Sequence, residues 1–208
     1  MLPRLYAIID AEVCRTHSIC PAEMARQLTA AGVSLIQHRD KLGSPQEILA
    51  NAAAIRAAAP AANLILNDRP DLASLAHFNG VHLGQSDLAP ADARLILPTG
   101  LIGLSTHTPA QVSLANQTTA DYLAIGPIFS TATKPDAEQP IGLEGIRRAR
   151  ALTTKPLVAI GGITRANAAS VLAAGADSIA VISALFSSAG TIEHNARTLR
   201  ALCDSDQR

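Results

Sequence analysis

Eight short apolar runs recur along this chain, with stretches of helical character between them. The runs begin near Leu5, Val33, Asn63, Val81, Leu101, Tyr122, Leu157 and Ser178. Most of the intervals are long enough for one helix and two loops, which is typical of parallel strands joined by crossover helices. This alternation restricts the chain to an α/β architecture.

Helix boundary signals fall where the alternation needs them. Ser44–Glu47 and Thr108–Gln111 each combine a hydroxyl residue, a proline at the first helical position and Glu or Gln three residues on. That pattern predicts a capping box at the start of a helix. Gly32 and Gly175 each follow an alanine just before an apolar run, and they predict helix ends.

The number of repeats predicts a closed barrel. Eight repeats in 208 residues fit a single-domain (β/α)₈ TIM barrel over residues 1–208, with a frayed C-terminal tail after about residue 203. The alternative is a doubly wound open sheet, which usually has a glycine fingerprint after its first strand. Here that strand ends Ile9-Asp10-Ala11, without such a fingerprint.

Composition argues against several partner classes. The chain is 48 % apolar and 16 % charged, and its 17 basic and 17 acidic residues balance to zero net charge. Surfaces that bind nucleic acid or membranes carry a basic excess, so we expect neither partner. The three cysteines lack metal-ligand spacing, and no apolar segment fits a signal peptide or a membrane span. These features predict free thiols in a cytoplasmic protein; the sequence leaves a homo-oligomer open.

A first candidate anion site lies where the second strand ends. Alternate residues of a strand share a face, so Gln37, Arg39 and Lys41 are expected to point the same way. Two cations beside an amide suit a polyanion such as diphosphate. The alternative is a strand that ends in a solvated basic turn.

A candidate metal site follows the third and fourth strands. Asp68, next to Asn67, and Asp87 come just after those strands. Mg²⁺ is usually held by one or two carboxylates together with water and phosphate oxygens, so this pair predicts a Mg²⁺ site. The alternative is that each aspartate caps the helix after it.

Polar residues also follow the fifth and sixth strands. Ser105 and His107 are placed to donate to a phosphate or to move a proton. Thr131, Thr133 and Lys134 lie in the longest polar loop and offer a second clamp on a diphosphate; the alternative is a solvated loop. Four other histidines show no convergent spacing and are interpreted as structural or surface residues: His17, His77, His82 and His194.

A second anion site is predicted after the seventh and eighth strands. Gly161 and Gly162 would let the backbone approach a ligand, and Ile182 and Ser183 follow the last strand. This arrangement matches the phosphate pocket that recurs in TIM barrels. A metal-bound diphosphate beside a second phosphorylated compound suggests a substitution in which diphosphate leaves.

Taken together, these motifs resemble the thiamine-phosphate synthase family. The similarity runs from Leu5 to about Leu185, and it rests on five segments: Gln37–Lys41, Asn67–Asp68, Gly80–Asp87, Gly126–Lys134 and Gly161–Gly162. The resemblance implies a transferase that condenses 4-amino-5-hydroxymethyl-2-methylpyrimidine diphosphate with a thiazole phosphate to give thiamine phosphate and diphosphate. It also implies Mg²⁺ as cofactor.

The resemblance further implies roles for individual residues. The residues implied to contact the pyrimidine diphosphate are Gln37, Arg39, Lys41, Asn67, Ser105 and Lys134. Those implied to bind the thiazole phosphate are Thr131, Thr133, Gly161, Gly162, Ile182 and Ser183. The implied Mg²⁺ ligands are Asp68 and Asp87. Catalysis would rest on stabilising the leaving group, with no acid, base or nucleophile of the protein.

Two other functions use the same barrel. A thiazole tautomerase, a related isomerase, would use His107 to move a proton. A non-catalytic barrel would bind thiazole phosphate and regulate. Neither needs Asp68 and Asp87 beside Arg39 and Lys41, so the acidic pair favours the synthase.

Overall fold

A computed structural model describes residues 2–131, 139–187 and 190–205 of the chain. Eight parallel strands form a closed barrel in sequence order, and β1 pairs with both β2 and β8. The strands are β1 Leu5–Asp10, β2 Leu35–Arg39, β3 Asn63–Asn67, β4 Gly80–Leu83, β5 Leu101–Thr106, β6 Tyr122–Ile125, β7 Leu157–Ile160 and β8 Ser178–Val181. The predicted (β/α)₈ barrel is confirmed.

Helices follow the strands and cover the outside of the barrel. They are α1 Ala11–Thr16, α2 Pro21–Ala30, α3 Pro45–Ala58, α4 Pro70–Leu75, α5 Pro90–Ile96, α6 Pro109–Asn116, α7 Gly142–Leu152, α8 Ala168–Ala173 and α9 Ile192–Ser205. A short 3₁₀ helix, Ser183–Phe186, follows β8 directly. None of the helices within the described ranges is long and apolar enough to cross a bilayer.

Local sequence signals explain where these helices begin and end. Both predicted capping boxes are confirmed: the side chains of Ser44 and Thr108 accept from the third backbone amide of α3 and α6, and the Glu or Gln there accepts in return. Gly32 and Gly175 follow α2 and α8 with φ of +79° and +113°, values that favour glycine. The described structure carries α9 to Ser205, so the frayed tail stays a prediction.

Strand alternation separates two layers of buried side chains. The larger layer packs between the strands and the helices. The smaller one fills the barrel interior with Tyr6, Ile8, Leu35, Ile65, Tyr122, Ala124, Val158 and Ala180. Because Ala124 and Ala180 are small, the interior leaves room for a cavity at the carboxyl ends of the strands.

Candidate active site

One cavity of about 400 Å³ opens at the carboxyl ends of the strands. Its wall includes twelve of the fourteen predicted site residues: Gln37, Arg39, Lys41, Asn67, Asp68, Asp87, Ser105, Thr131, Gly161, Gly162, Ile182 and Ser183. The other two, Thr133 and Lys134, lie in the segment 132–138, outside the described residues. The strand ends therefore bring together the acidic, basic and glycine-rich groups in one place.

The basic side of the cavity is held by an acid that the sequence did not reveal. Arg39 forms an ion pair with Asp10 at 2.5 Å, and the Asp10 side chain is only 3 % exposed. The other oxygen of that carboxylate accepts from two backbone amides in the first turn of α1, at 3.0 and 3.1 Å. Asp10 thus caps a helix and orients the guanidinium at the same time.

The acidic pair lies beside the second cation. Asp68, with a left-handed φ of +63°, forms an ion pair with Lys41. Burial raises the pKa of the Asp68 carboxyl, a hydrogen bond with Asp87 raises it further, and Lys41 opposes both. Each of two neighbouring carboxyl groups makes ionisation of the other less favourable, and a cation bound between them would reduce this repulsion.

Neither aspartate caps a helix in the described structure, so that alternative is wrong. The residues at the caps of α4 and α5 are Arg69 and Ala89, which make no side-chain cap hydrogen bond. Asp87 instead accepts from the backbone amide of Gly84 at 2.6 Å, within its own turn. Arg69 is paired with Asp71 at 2.6 Å.

This donor set fits Mg²⁺ better than a metal that needs several protein ligands. Within residues 2–131, 139–187 and 190–205, no three His, Cys, Asp or Glu side chains form a group that could hold a metal ion. Mg²⁺ commonly takes one or two carboxylates and completes its shell with substrate phosphates and water. Asp68 and Asp87 supply that number, and both line the same cavity.

His82 also lies in the cavity wall, where the sequence did not place it. Its Nδ1 atom lies 3.0 Å from the Tyr122 hydroxyl and its Nε2 atom 2.9 Å from the hydroxyl of Ser105. Burial lowers its pKa to about 4, so the ring is neutral near neutral pH. Strand alternation could have revealed it, because its neighbours Val81 and Leu83 belong to the outer apolar layer.

His107 lies at the edge of the same cavity. Its Nδ1 atom is 2.6 Å from the carbonyl oxygen of Gly126. A carbonyl only accepts, so Nδ1 carries the hydrogen and the ring is oriented by backbone.

The glycine side of the cavity depends on two positive φ angles. Gly161 and Gly162 have φ of +99° and +63°. A Cβ atom at Gly161 would lie 2.6 Å from Pro127, and one at Gly162 would lie 2.6 Å from the carbonyl oxygen of Ser130. Glycine is therefore required at both positions, and the half-buried backbone there, in the cavity wall, can approach an anion closely.

Comparison with known proteins gives a consistent result. The model of the family described as thiamine monophosphate synthase matches residues 5–185. A thiamine-phosphate synthase from Koribacter versatilis is 52 % identical over 188 residues, covering 88 % of this chain and 89 % of that protein. One from Chloroflexus aurantiacus is 42 % identical over 206 residues, covering 98 % and 94 %.

Solved structures agree with the fold. A thiamine phosphate pyrophosphorylase from Pyrococcus furiosus superposes with a TM-score of 0.88 at 32 % identity, over 99 % of this chain and 98 % of that one. A pyrophosphorylase from Bacteroides thetaiotaomicron, at 16 % identity and a TM-score of 0.68, shares the fold.

Proposed function

The chain belongs to the thiamine monophosphate synthase family, and from this premise we propose how its cavity makes thiamine phosphate. The chain is an enzyme, a transferase of thiamine biosynthesis. In the proposed reaction the ring nitrogen of a thiazole phosphate bonds to the methylene carbon of the aminopyrimidine diphosphate, and the bond from that carbon to the diphosphate oxygen breaks. The observation that carries the proposal is that one cavity holds an acidic pair and two cations opposite a glycine-lined pocket.

The diphosphate side works by neutralising charge. Arg39 and Lys41 face the cavity as cations, Ser105 adds a hydroxyl, and Lys134 belongs to this set by its resemblance to the family. As the carbon–oxygen bond breaks, negative charge grows on the departing diphosphate, and fixed positive groups lower the energy of that state. Asp68 and Asp87 would hold Mg²⁺, which supplies further positive charge when bound.

On the thiazole side, the proposed role of the cavity is to hold the second substrate in position. Gly161 and Gly162, with Ile182 and Ser183, would bind the phosphate of the second substrate, and Thr131 and Thr133 would line its thiazole ring. Holding the thiazole nitrogen close to the reacting carbon makes the bond-forming step effectively unimolecular. Because the attacking atom belongs to a substrate, the reaction needs no nucleophile from the protein. The free cysteines Cys14, Cys20 and Cys203 support a reducing, cytoplasmic setting.

The deciding experiment is an end-point assay with the two substrates, with and without Mg²⁺, that detects thiamine phosphate. We expect product only when the metal is present. A folded protein that binds thiazole phosphate but forms no thiamine phosphate would contradict the proposal. That result would favour the tautomerase alternative and a role for His107.

A further inference from the structure

A row of five hydrogen-bonded side chains runs through the barrel interior, and four of them line the cavity. The amide nitrogen of Gln37 donates to the Tyr6 hydroxyl at 2.8 Å, and the hydroxyls of Tyr6 and Tyr122 lie 3.1 Å apart. Tyr122 reaches Nδ1 of His82 at 3.0 Å, and Nε2 of His82 reaches the Ser105 hydroxyl at 2.9 Å. The row joins the neighbouring strands β1 and β2 to the neighbouring strands β4, β5 and β6 across the barrel. Its two ends, Gln37 and Ser105, are residues expected to contact the pyrimidine diphosphate.

The residues around this row pack closely against its rings. The rings of His82 and Tyr122 stack with centroids 5.6 Å apart. Gly103 of β5 lies between them, and a Cβ atom there would come within 2.4 Å of His82 Nδ1 and 2.1 Å of the Tyr122 ring. Tyr6 is 1 % exposed and Tyr122 is fully buried, so both hydroxyls depend on these partners.

Counting hydrogens gives the row a direction. An amide nitrogen only donates, so Tyr6 accepts from Gln37. Because the Tyr6 hydroxyl is buried, the direction that leaves its own hydrogen paired is the one in which Tyr6 donates to Tyr122. Tyr122 then donates to Nδ1 of His82, which places the ring hydrogen on Nε2, facing Ser105. Ser105 therefore accepts from His82, which leaves its own hydrogen available to a ligand in the cavity that Ser105 lines.

We propose that His82, Tyr122 and Tyr6 are positioning residues that make the Ser105 hydroxyl a hydrogen-bond donor to the diphosphate. The inference rests on the proposed function and deepens it, because it assigns the group that orients one leaving-group contact. A donor held in place by buried neighbours needs no reorientation when charge develops on the leaving group. The same direction leaves the Gln37 carbonyl oxygen as the acceptor at the other end of the row.

The first test compares two substitutions of similar length. His82→Met removes both hydrogen bonds, whereas His82→Gln keeps a donor and an acceptor. We expect His82→Met to weaken inorganic diphosphate binding in the presence of Mg²⁺ and to raise KM for the pyrimidine diphosphate, each by roughly tenfold. His82→Gln should stay within about threefold of the unaltered enzyme, since it can restore the contact. KM for thiazole phosphate should not change in either variant.

His194→Gln is the matched control, because His194 is exposed on α9. It should match the unaltered protein in both binding and turnover. Tyr122→Phe interrupts the row at a different point while keeping the ring, and should reproduce the His82→Met result. Circular dichroism establishes that each variant is folded.

A double-mutant cycle then separates positioning from general packing. If His82 acts through Ser105, His82→Met should have no further effect on diphosphate binding in a Ser105→Ala background. The same loss in both backgrounds would overturn the proposal, as would equal losses for both substrates. Ser105→Ala with unaltered diphosphate affinity would mean that the Ser105 hydroxyl does not donate to the diphosphate, which also overturns the proposal. The diphosphate measurements do not require turnover, so an inactive unaltered protein would contradict the proposed function separately.

Discussion

The charged residues of the cavity differ in how fully their partners satisfy them. One carboxylate oxygen of Asp10 pairs with Arg39, and the other accepts from backbone amides in the first turn of α1. Both oxygens therefore have hydrogen-bond donors. Asp68 has Lys41 on one side, but burial and the neighbouring Asp87 raise its pKa. A raised carboxyl pKa means that the folded state loses stability as pH rises through the titration range, because charging is harder there than in the unfolded chain.

The first prediction concerns Asp87→Asn. Without metal, this substitution should raise the free energy of unfolding at about pH 7 by up to ~1 kcal/mol, because it removes the charge beside Asp68. Mg²⁺ should raise the Tm of the unaltered protein and leave that of the variant unchanged, and turnover should fall at least about a hundredfold. Thermal unfolding with and without Mg²⁺, together with the product assay, measures both effects.

Asp92→Asn is the control, since Asp92 is exposed in the first turn of α5. It should keep the full response to Mg²⁺. Near-normal turnover of Asp87→Asn at limiting Mg²⁺ would contradict the metal assignment.

The second prediction concerns the pH dependence of stability. Burial lowers the pKa of His82 from 6.5 to about 4, so the unfolded chain takes up a proton first as pH falls. The stability associated with the neutral ring is complete above about pH 6.5 and is lost between there and about pH 4. At about pH 4.5 the loss is roughly 2–3 kcal/mol relative to neutral pH.

Urea unfolding of the unaltered protein and of His82→Gln, at about pH 7 and about pH 4.5, tests this loss. The variant should lose less stability than the unaltered protein over that interval. His38, whose pKa burial also lowers, contributes to both proteins and cancels in the comparison. Equal losses in the two proteins would contradict the prediction.

At the scale of elements, the loop after β7 shapes the loop after β6. The backbone amides of Ile128 and Phe129 donate to the carbonyl oxygens of Ile160 and Gly161, at 2.9 and 3.0 Å. The two loops therefore pair edge to edge where the thiazole phosphate is expected to bind. A substitution that moves the backbone of one loop should therefore also move the backbone of the other.

The third prediction compares two glycines with positive φ. Gly142 has φ of +63° and open space around its Cβ position, so Gly142→Ala should cost only the strained backbone, about 1 kcal/mol. Gly161→Ala adds a close contact with Pro127 and should cost roughly 2–4 kcal/mol. It should also raise KM for thiazole phosphate well above that of Gly142→Ala. Urea unfolding and steady-state kinetics of the two variants measure the differences, and matching values would contradict a steric role for Gly161.

For the whole molecule, local patterns in the sequence were enough to predict the barrel and most of the cavity. Strand alternation and the polarity of βα units are properties of short segments, so the strand-end positions of Arg39, Asp68 and Gly161 could be predicted. Alternation could also have placed His82 on the inner face of its strand. The row through Tyr6, Tyr122 and His82 could not be predicted, because it depends on which residues of different strands meet across the barrel. An aromatic residue within a strand is as typical of an apolar core as of a hydrogen-bonded row.

The fourth prediction uses the thiols to report on the whole fold. Cys20 is exposed, whereas Cys14 and Cys203 are buried, and burial raises their pKa values to about 12 and about 11. Only the thiolate reacts readily, so the folded protein should react at one cysteine and the unfolded protein at all three. Thiol titration with and without denaturant gives the two counts, and Cys20→Ser should abolish the fast reaction. A second fast thiol in that variant would contradict the prediction.

Closure of the barrel through β1 and β8 has a consequence for how the protein is made. During synthesis β1 must wait for β8, in the final part of the barrel, before both of its edges are paired. The glycines after β7 and the residues after β8 also belong to that final part. In a nascent chain the residues after β2, β3 and β4 therefore emerge first, and the pocket expected for the second substrate is complete only after β8 has been synthesised.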